Sequence, residues 1–245
     1  QTTEIGGNFR ISFNEDYIIT NGKKVYISSN WPIFNLNLAY AKSGLLGGDL
    51  DYKKVSLSAS NWLRMGKLGY TDYKLTAGII LGDLPYPALN VFRGNMSWGY
   101  DKKGFNMMDY YEFVADRYVT AVADHHFEGL IWNQLPLLRR LKFKTVATGR
   151  IAWGTLSRAN MALNNVDIPL PDGTTFEQRI KAPNQLPYME AGLGLENILK
   201  FIRVDGIWRL NYHNLRFMDD PTRFPKSNWG RFNNFGLRVS LTVSF

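Results

Sequence analysis

Apolar and polar residues alternate along most of this chain. The pattern is cleanest at the end, where Phe235, Leu237, Val239, Leu241, Val243 and Phe245 are separated one by one by Gly236, Arg238, Ser240, Thr242 and Ser244. Successive side chains of a strand point to opposite faces, so a period of two predicts a strand with one apolar and one polar face. The same grammar sets Ile5, Gly7, Phe9, Ile11 and Phe13 against Gly6, Asn8, Arg10, Ser12 and Asn14, and Phe34, Leu36, Leu38 and Tyr40 against Asn35, Asn37 and Ala39. It returns with Val55, Leu57 and Ala59 opposite Lys54, Ser56 and Ser58, and with Leu75, Ala77 and Ile79 opposite Lys74, Thr76 and Gly78. Later repeats carry charge: Met189, Ala191, Leu193 and Leu195 oppose Glu190, Gly192, Gly194 and Glu196, while Ile202, Val204 and Trp208 oppose Arg203, Asp205 and Arg209. The pattern predicts ten strands, near residues 2–14, 31–42, 53–66, 70–83, 105–115, 118–132, 142–156, 186–198, 201–213 and 231–245.

Alternation alone suits a soluble sandwich as well as a membrane barrel. Length separates them: strands of soluble proteins usually run ~5–6 residues, whereas most of these run about ten, matching the ~9–11 that a tilted strand needs to cross the hydrocarbon layer. Aromatic residues also gather at the predicted strand ends, among them Trp31, Tyr52, Trp62, Tyr70, Trp132, Trp153, Tyr188 and Trp208, as in the girdles of membrane barrels. The expected fold is therefore all-β, an antiparallel up-and-down transmembrane β-barrel of about ten strands in this chain, complete or part of a larger barrel. Residues 1–245 are read as one such domain, and the expected location is the bacterial outer membrane. Short breaks at Leu199-Lys200 and Lys67-Leu68-Gly69 contrast with long polar connections at 158–185 and 214–230. Barrels of this kind have short periplasmic turns and long outer loops. With the last strand ending in the periplasm, the two long connections fall outside; the same count puts residues 84–104 on the periplasmic side.

Composition adds constraints. No apolar run approaches the ~20 residues of a membrane helix. The chain opens at Gln1 without a basic and apolar leader, which reads as a processed chain or as a piece of a longer one. It has no cysteine, so disulfides and thiolate metal sites are excluded. The formal charge of +8 is scattered rather than clustered, which argues against nucleic acid and suits anionic headgroups. The expected partners are outer-membrane lipids, including lipopolysaccharide, and other outer-membrane proteins in a complex.

Candidate chemistry is sparse. Asp124-His125-His126-Phe127-Glu128 is the one dense cluster of acid-base residues, and on a strand Asp124, His126 and Glu128 would share a face. Its spacing matches no ligand motif, and the chain lacks a Gly-x-Ser-x-Gly elbow, a P-loop and a His-Glu-x-x-His pair. No catalytic residue, metal site or cofactor is assigned, and an enzyme is not expected. The residues expected to line the lumen as a solvated charged network are Asp116, Asp124, His126, Glu128, Glu190, Arg203, Asp205, Arg209 and Arg238. The terminal Leu241, Val243 and Phe245 suit a strand read by the insertion machinery of the outer membrane.

Four runs carry a resemblance: Tyr86-Pro87-Ala88-Leu89 with Phe92-Arg93-Gly94-Asn95; Tyr111-Glu112-Phe113-Val114-Ala115-Asp116-Arg117-Tyr118-Val119; Leu135-Pro136-Leu137-Leu138-Arg139-Arg140-Leu141-Lys142; and Gly194 to Asp205. With them the chain resembles the C-terminal barrel portion of a longer outer-membrane family of unknown function, in which a carboxypeptidase-regulatory-like domain precedes a barrel distantly similar to the BamA and TamA type. The resemblance implies a role in assembling or exporting other outer-membrane or surface proteins. It also implies that Phe92, Arg93 and Gly94 are similar to the loop motif that tucks into a BamA-type lumen, although Asn95 stands where that motif has an aromatic. On this reading Arg93 is expected inside the barrel against Asp116, Asp124, Glu128, Glu190 or Asp205, since a guanidinium away from water needs a carboxylate. The alternatives are a passive, weakly anion-favouring channel, motivated by Arg10, Arg64, Lys74, Arg150, Arg203, Arg209 and Arg238 on the predicted inner face, and a structural anchor for a soluble domain or partner.

Overall fold

A computed structural model describes residues 1–29, 31–134, 136, 139–169, 175–178, 180–213 and 234–241. It is mostly antiparallel β. In chain order the strands are β1 (Glu4–Ile11), β2 (Glu15–Thr20), β3 (Lys23–Ser29), β4 (Ile33–Ala41), β5 (Tyr52–Arg64), β6 (Tyr70–Leu81), β7 (Asn90–Val91), β8 (Val114–Ala115), β9 (Arg117–His126), β10 (Lys144–Thr155), β11 (Val166–Pro169), β12 (Thr175–Gln178), β13 (Tyr188–Ile198), β14 (Ile202–Arg209) and β15 (Phe235–Leu241). One helix, α1 (Arg158–Asn164), follows β10. Nine strands form a single sheet in the order β1-β4-β5-β6-β9-β10-β13-β14-β15. Each is antiparallel to its neighbours. The pairs β2-β3, β7-β8 and β11-β12 stand apart as short ribbons. Among the described residues the large sheet ends at β1 on one side and β15 on the other.

The register fixes which residues share a face. Lys74, Val122, Arg150, Glu190 and Arg209 lie opposite one another from strand to strand, and so do Asp72, Asp124, Thr148, Gly192 and Ile207. Directly opposed residues project to the same side. That face is therefore polar across its width. The other face carries Phe9, Leu38, Val55, Leu57, Leu75, Val119, Ile151, Leu193, Trp208, Leu237 and Leu241, all solvent-exposed. Burial is thus inverted from a soluble sheet, where the apolar face is the covered one. Here Arg150, Arg203, Asp205 and Arg209 are buried while the leucines are exposed.

Nine of the ten expected strands are present, most with shifts of one to four residues; that expected over 118–132 stops at His126, and the last is described only over 234–241. The exception is 105–115, where only Val114 and Ala115 are extended in a ladder. Phe105, Asn106, Met107, Met108 and Asp109 are all buried regardless of parity. A strand between two media would bury every second residue; these are enclosed on all sides. Without that strand, the connection from β6 to β9 shifts to the same end of the sheet as those following β4, β10 and β14. This corrects the placement of residues 84–104 at the end with the short turns. Val243 and Phe245 lie outside the described residues, whereas Leu241 closes β15 on the exposed apolar face.

Candidate functional site

The connection between β6 and β9, residues 82–116, packs against the polar face. Its first stretch is tied down by α1: Ser157 caps the helix by accepting from the Asn160 amide at 3.3 Å. Asn160 accepts from the Leu84 amide and Asn164 from the Tyr86 amide, at 2.8 and 2.6 Å. Asp116, at the far end of the connection, accepts from the Ser157 amide at 2.6 Å and the Asn160 side chain at 3.0 Å. Between these ties Phe92, Phe105, Met108 and Phe113 form a buried cluster with Ala115, Ala152 and Tyr188. Gly94 runs so close to residues 108–109 that a Cβ there would overlap their carbonyl oxygens, that of Met108 at 2.6 Å. Gly94→Val is expected to destabilise the segment by about 2–4 kcal/mol, as overpacking against fixed backbone does; urea unfolding of the purified protein measures it.

The segment then meets the charges of the sheet. Glu190 of β13 accepts from the backbone amides of Asn106 and Met107, at 2.8 and 2.6 Å, and from the Tyr188 hydroxyl at 2.6 Å. Arg150 of β10 donates to the Gly104 carbonyl at 2.8 Å and the Tyr100 hydroxyl at 2.7 Å. Tyr100 in turn donates to Asp124 of β9 at 2.6 Å. Its ring lies beneath two guanidinium groups, Arg203 at 4.1 Å and Arg150 at 5.0 Å from the centroid. Burial pushes the Tyr100 phenol well above its ordinary range, against the pull of Arg150. Its hydroxyl, donating to Asp124 and accepting from Arg150, serves as donor and acceptor at once.

Around this centre the buried charges neutralise one another. Arg203 donates to both oxygens of Asp205, at 2.7 and 2.8 Å, and to Glu196 at 3.0 Å. The second oxygen of Glu196 contacts His126 Nδ1 at 3.1 Å, and His126 stacks on Tyr70 with centroids 4.4 Å apart. Arg209 donates to Glu112 at 2.9 Å and to the Met107 carbonyl at 3.2 Å. Arg238 donates to the Asn106 carbonyl at 2.6 Å.

Most of the residues expected in an inner network are therefore brought together: Asp124, His126, Glu190, Arg203, Asp205, Arg209 and Arg238. Asp116 is buried nearby but serves the α1 tie. Glu128 is set apart, because its φ of +52° lies beyond the end of β9 and its carboxylate pairs with Lys144 at 3.0 Å. Asp124, His126 and Glu128 thus do not form one cluster. Among the described residues no group of three acidic or histidine side chains is arranged to hold a metal.

Arg93 does not pair with any of the five carboxylates expected for it. Its Nε donates to Asp101 at 2.6 Å, within the same segment, and its side chain is 65% exposed. The tie is mostly reversed in sense: the sheet supplies the arginines and Glu190, and the segment offers backbone amides, carbonyls, Tyr100 and the Glu112 carboxylate. Phe92 and Gly94 are held by packing, as core and as close approach. The sequence reading missed Tyr100, Asn106, Glu112 and Glu196. Glu196 was legible from its place in the β13 alternation, whereas the other three sit in a stretch with no usable period.

No curated protein matches the chain. A family model does, over residues 1–155, which take in the polar face from β1 to β10 together with the segment that covers it. The chain belongs to the family of unknown function DUF5686, matching its C-terminal domain.

Proposed function

We propose that this chain is an outer-membrane β-barrel, or the C-terminal share of one, whose interior is filled by its own residues 82–116. We propose further that it acts in the assembly or export of outer-membrane or surface proteins, in the manner of BamA-type barrels. The observation that carries the membrane reading is the inverted burial: a continuous apolar face left uncovered while arginines and carboxylates are buried behind it. Such a sheet is stable where the medium outside is hydrocarbon. The resemblance to barrels preceded by a carboxypeptidase-regulatory-like domain supports the same reading. The interior favours an assembly barrel over a diffusion channel. Arg150, Arg203 and Arg209, which would have attracted anions, are enclosed and paired with carboxylates, and the segment occupies the space above them.

The test is functional. Purified protein in vesicles is expected to speed the folding of an added unfolded outer-membrane protein, and in planar bilayers to show no steady ohmic conductance. A stable open pore without effect on folding would establish the channel instead.

Two further outcomes follow from the membrane reading. Leu57 lies mid-strand on the apolar face, so Leu57→Arg is expected to cost about 2–4 kcal/mol in lipid. At an exposed site of a water-facing sheet the same change would stay within about 0.5 kcal/mol; urea titration in vesicles separates the two. Because the chain lacks cysteine, single cysteines report sidedness. Impermeant maleimide on intact cells is expected to label Lys42→Cys, exposed in the β4–β5 connection, and spare Lys200→Cys, and the opposite pattern would invert the orientation.

A further inference from the structure

The two ends of the sheet differ in charge. Because consecutive strands are antiparallel, connections 12–32, 65–69, 127–143 and 199–201 share one end, and 42–51, 82–116, 156–187 and 210–234 the other. The first set contains seven basic and three acidic residues, the second eleven and twelve. Half of the excess at the first end lies in the β9–β10 connection. There Arg139, Arg140 and Lys142 are exposed, and among the described residues no carboxylate pairs with them. Arg139 and Lys142 border a cleft of about 570 Å³ with Asn133, Phe143, Lys144 and Glu128, whose carboxylate is taken up by Lys144 at 3.0 Å.

The same connection also exposes apolar side chains. Ile131 and Leu141 are exposed. Trp132 donates from Nε1 to Thr145 at 2.9 Å, and Thr145 stands opposite Leu195 on the apolar face of the sheet. Its ring meets Phe143 edge-on at 5.9 Å. The connection is held in place by its neighbour, since Asn197 donates to the Lys142 carbonyl at 2.8 Å. Apolar side chains and a tryptophan at the rim of the apolar face, with unpaired cations beside them, are what a segment needs to lie in a headgroup layer. A water-soluble acidic partner would explain the cations and leave the exposed Ile131 and Leu141 without purpose.

We infer that the β9–β10 connection is an interfacial segment that binds the phosphate groups of anionic phospholipids through Arg139, Arg140 and Lys142. This rests on reading the sheet as membrane-spanning. It assigns the basic end to a phospholipid leaflet and gives that end a selective lipid contact.

The experiment uses the full chain carrying Leu141→Cys labelled with an environment-sensitive fluorophore. It is folded into phosphatidylcholine vesicles containing about one-fifth phosphatidylglycerol, the bromine quencher being placed on one lipid or the other. Heat-modifiable migration on gels reports barrel formation separately. At equal mole fraction, brominated phosphatidylglycerol is expected to quench about three-fold more than brominated phosphatidylcholine. The combined Arg139→Gln, Arg140→Gln and Lys142→Gln changes are expected to abolish the difference while the folded band remains. Equal quenching in the parent chain with the folded band present overturns the lipid site and leaves the membrane reading standing. A preference that survives the triple change overturns the assignment to these residues. Inorganic phosphate that removes the preference at matched ionic strength overturns lipid as its source. Absence of a folded band in any vesicle overturns the membrane reading and this inference together. The parent comparison decides even where the triple variant does not fold.

Discussion

An Arg203→Ala chain is expected to lose about 3–5 kcal/mol of folding stability, the cost of removing one partner of a buried ion pair. Arg203 is fully buried and its guanidinium meets Asp205, Glu196 and the Tyr100 ring. Its loss leaves two carboxylates in the interior facing each other and Asp124. An Arg203→Met, Asp205→Leu double change is expected to recover most of the stability, since apolar replacement of a whole buried pair is often neutral or better. Urea titration of the folded protein reads both. Arg93→Ala supplies the contrast: its exposed pair with Asp101 is expected to be worth at most about 1 kcal/mol. A larger loss from Arg93→Ala than from Arg203→Ala would refute the assignment of roles made here.

Glu190→Gln is the second change with a large expected effect, because it breaks the main tie between sheet and segment. The carboxylate accepts two adjacent backbone amides and a tyrosine hydroxyl, and an amide can present only one oxygen to the three. One donor at least is left facing the new NH₂ group. Hydrogen bonds to a charged group contribute about 1.5–3 kcal/mol each, so residues 100–110 are expected to release while the sheet keeps its other contacts. Lys102 and Lys103 are exposed, and trypsin should cut there faster in Glu190→Gln than in the parent. Unchanged cleavage would show that packing of Phe92, Phe105 and Phe113 holds the segment without Glu190.

The strands were legible because the sheet lies between two different environments, and a period of two records that directly. Val204, Asp205 and Gly206 or Ile151, Arg150 and Gly149 can be assigned to faces by parity alone. Residues 105–109 were misread for the converse reason: polar Asn106 and Asp109 are buried as fully as Phe105, Met107 and Met108, so the spacing carries no facing information. The buried charges were legible as a set, since Glu190, Arg203, Asp205, Arg209 and Arg238 fall on the polar parity of their strands. Their partners were not. Which carboxylate meets which guanidinium depends on sheet order and on where the covering segment lies. Arg93 illustrates the limit, because a motif placed it in the right segment and charge logic then chose the wrong partner. The inversion of burial itself was invisible to parity, which separates two faces without saying which one is covered.

Translation presents the covering segment long before the groups that hold it. Gly104 waits 46 residues for Arg150, Asn106 waits 84 for Glu190 and 132 for Arg238. Contacts so distant along the chain form slowly, because loop closure precedes any gain from them. Residues 92–113, with five large apolar side chains buried in the finished protein, therefore spend the early life of the polypeptide undocked and liable to aggregate. The order of events is set by the wiring: β13, β14 and β15 have to be in place before the segment can settle, so maturation finishes from the C-terminal strands backwards. A chain interrupted ahead of β13 would keep the α1 ties and the Arg150 contacts but lack Glu190, Arg209 and Arg238, leaving the Asn106–Met107 stretch unfastened, which makes arrival of the last strands a built-in checkpoint on the docking of the segment.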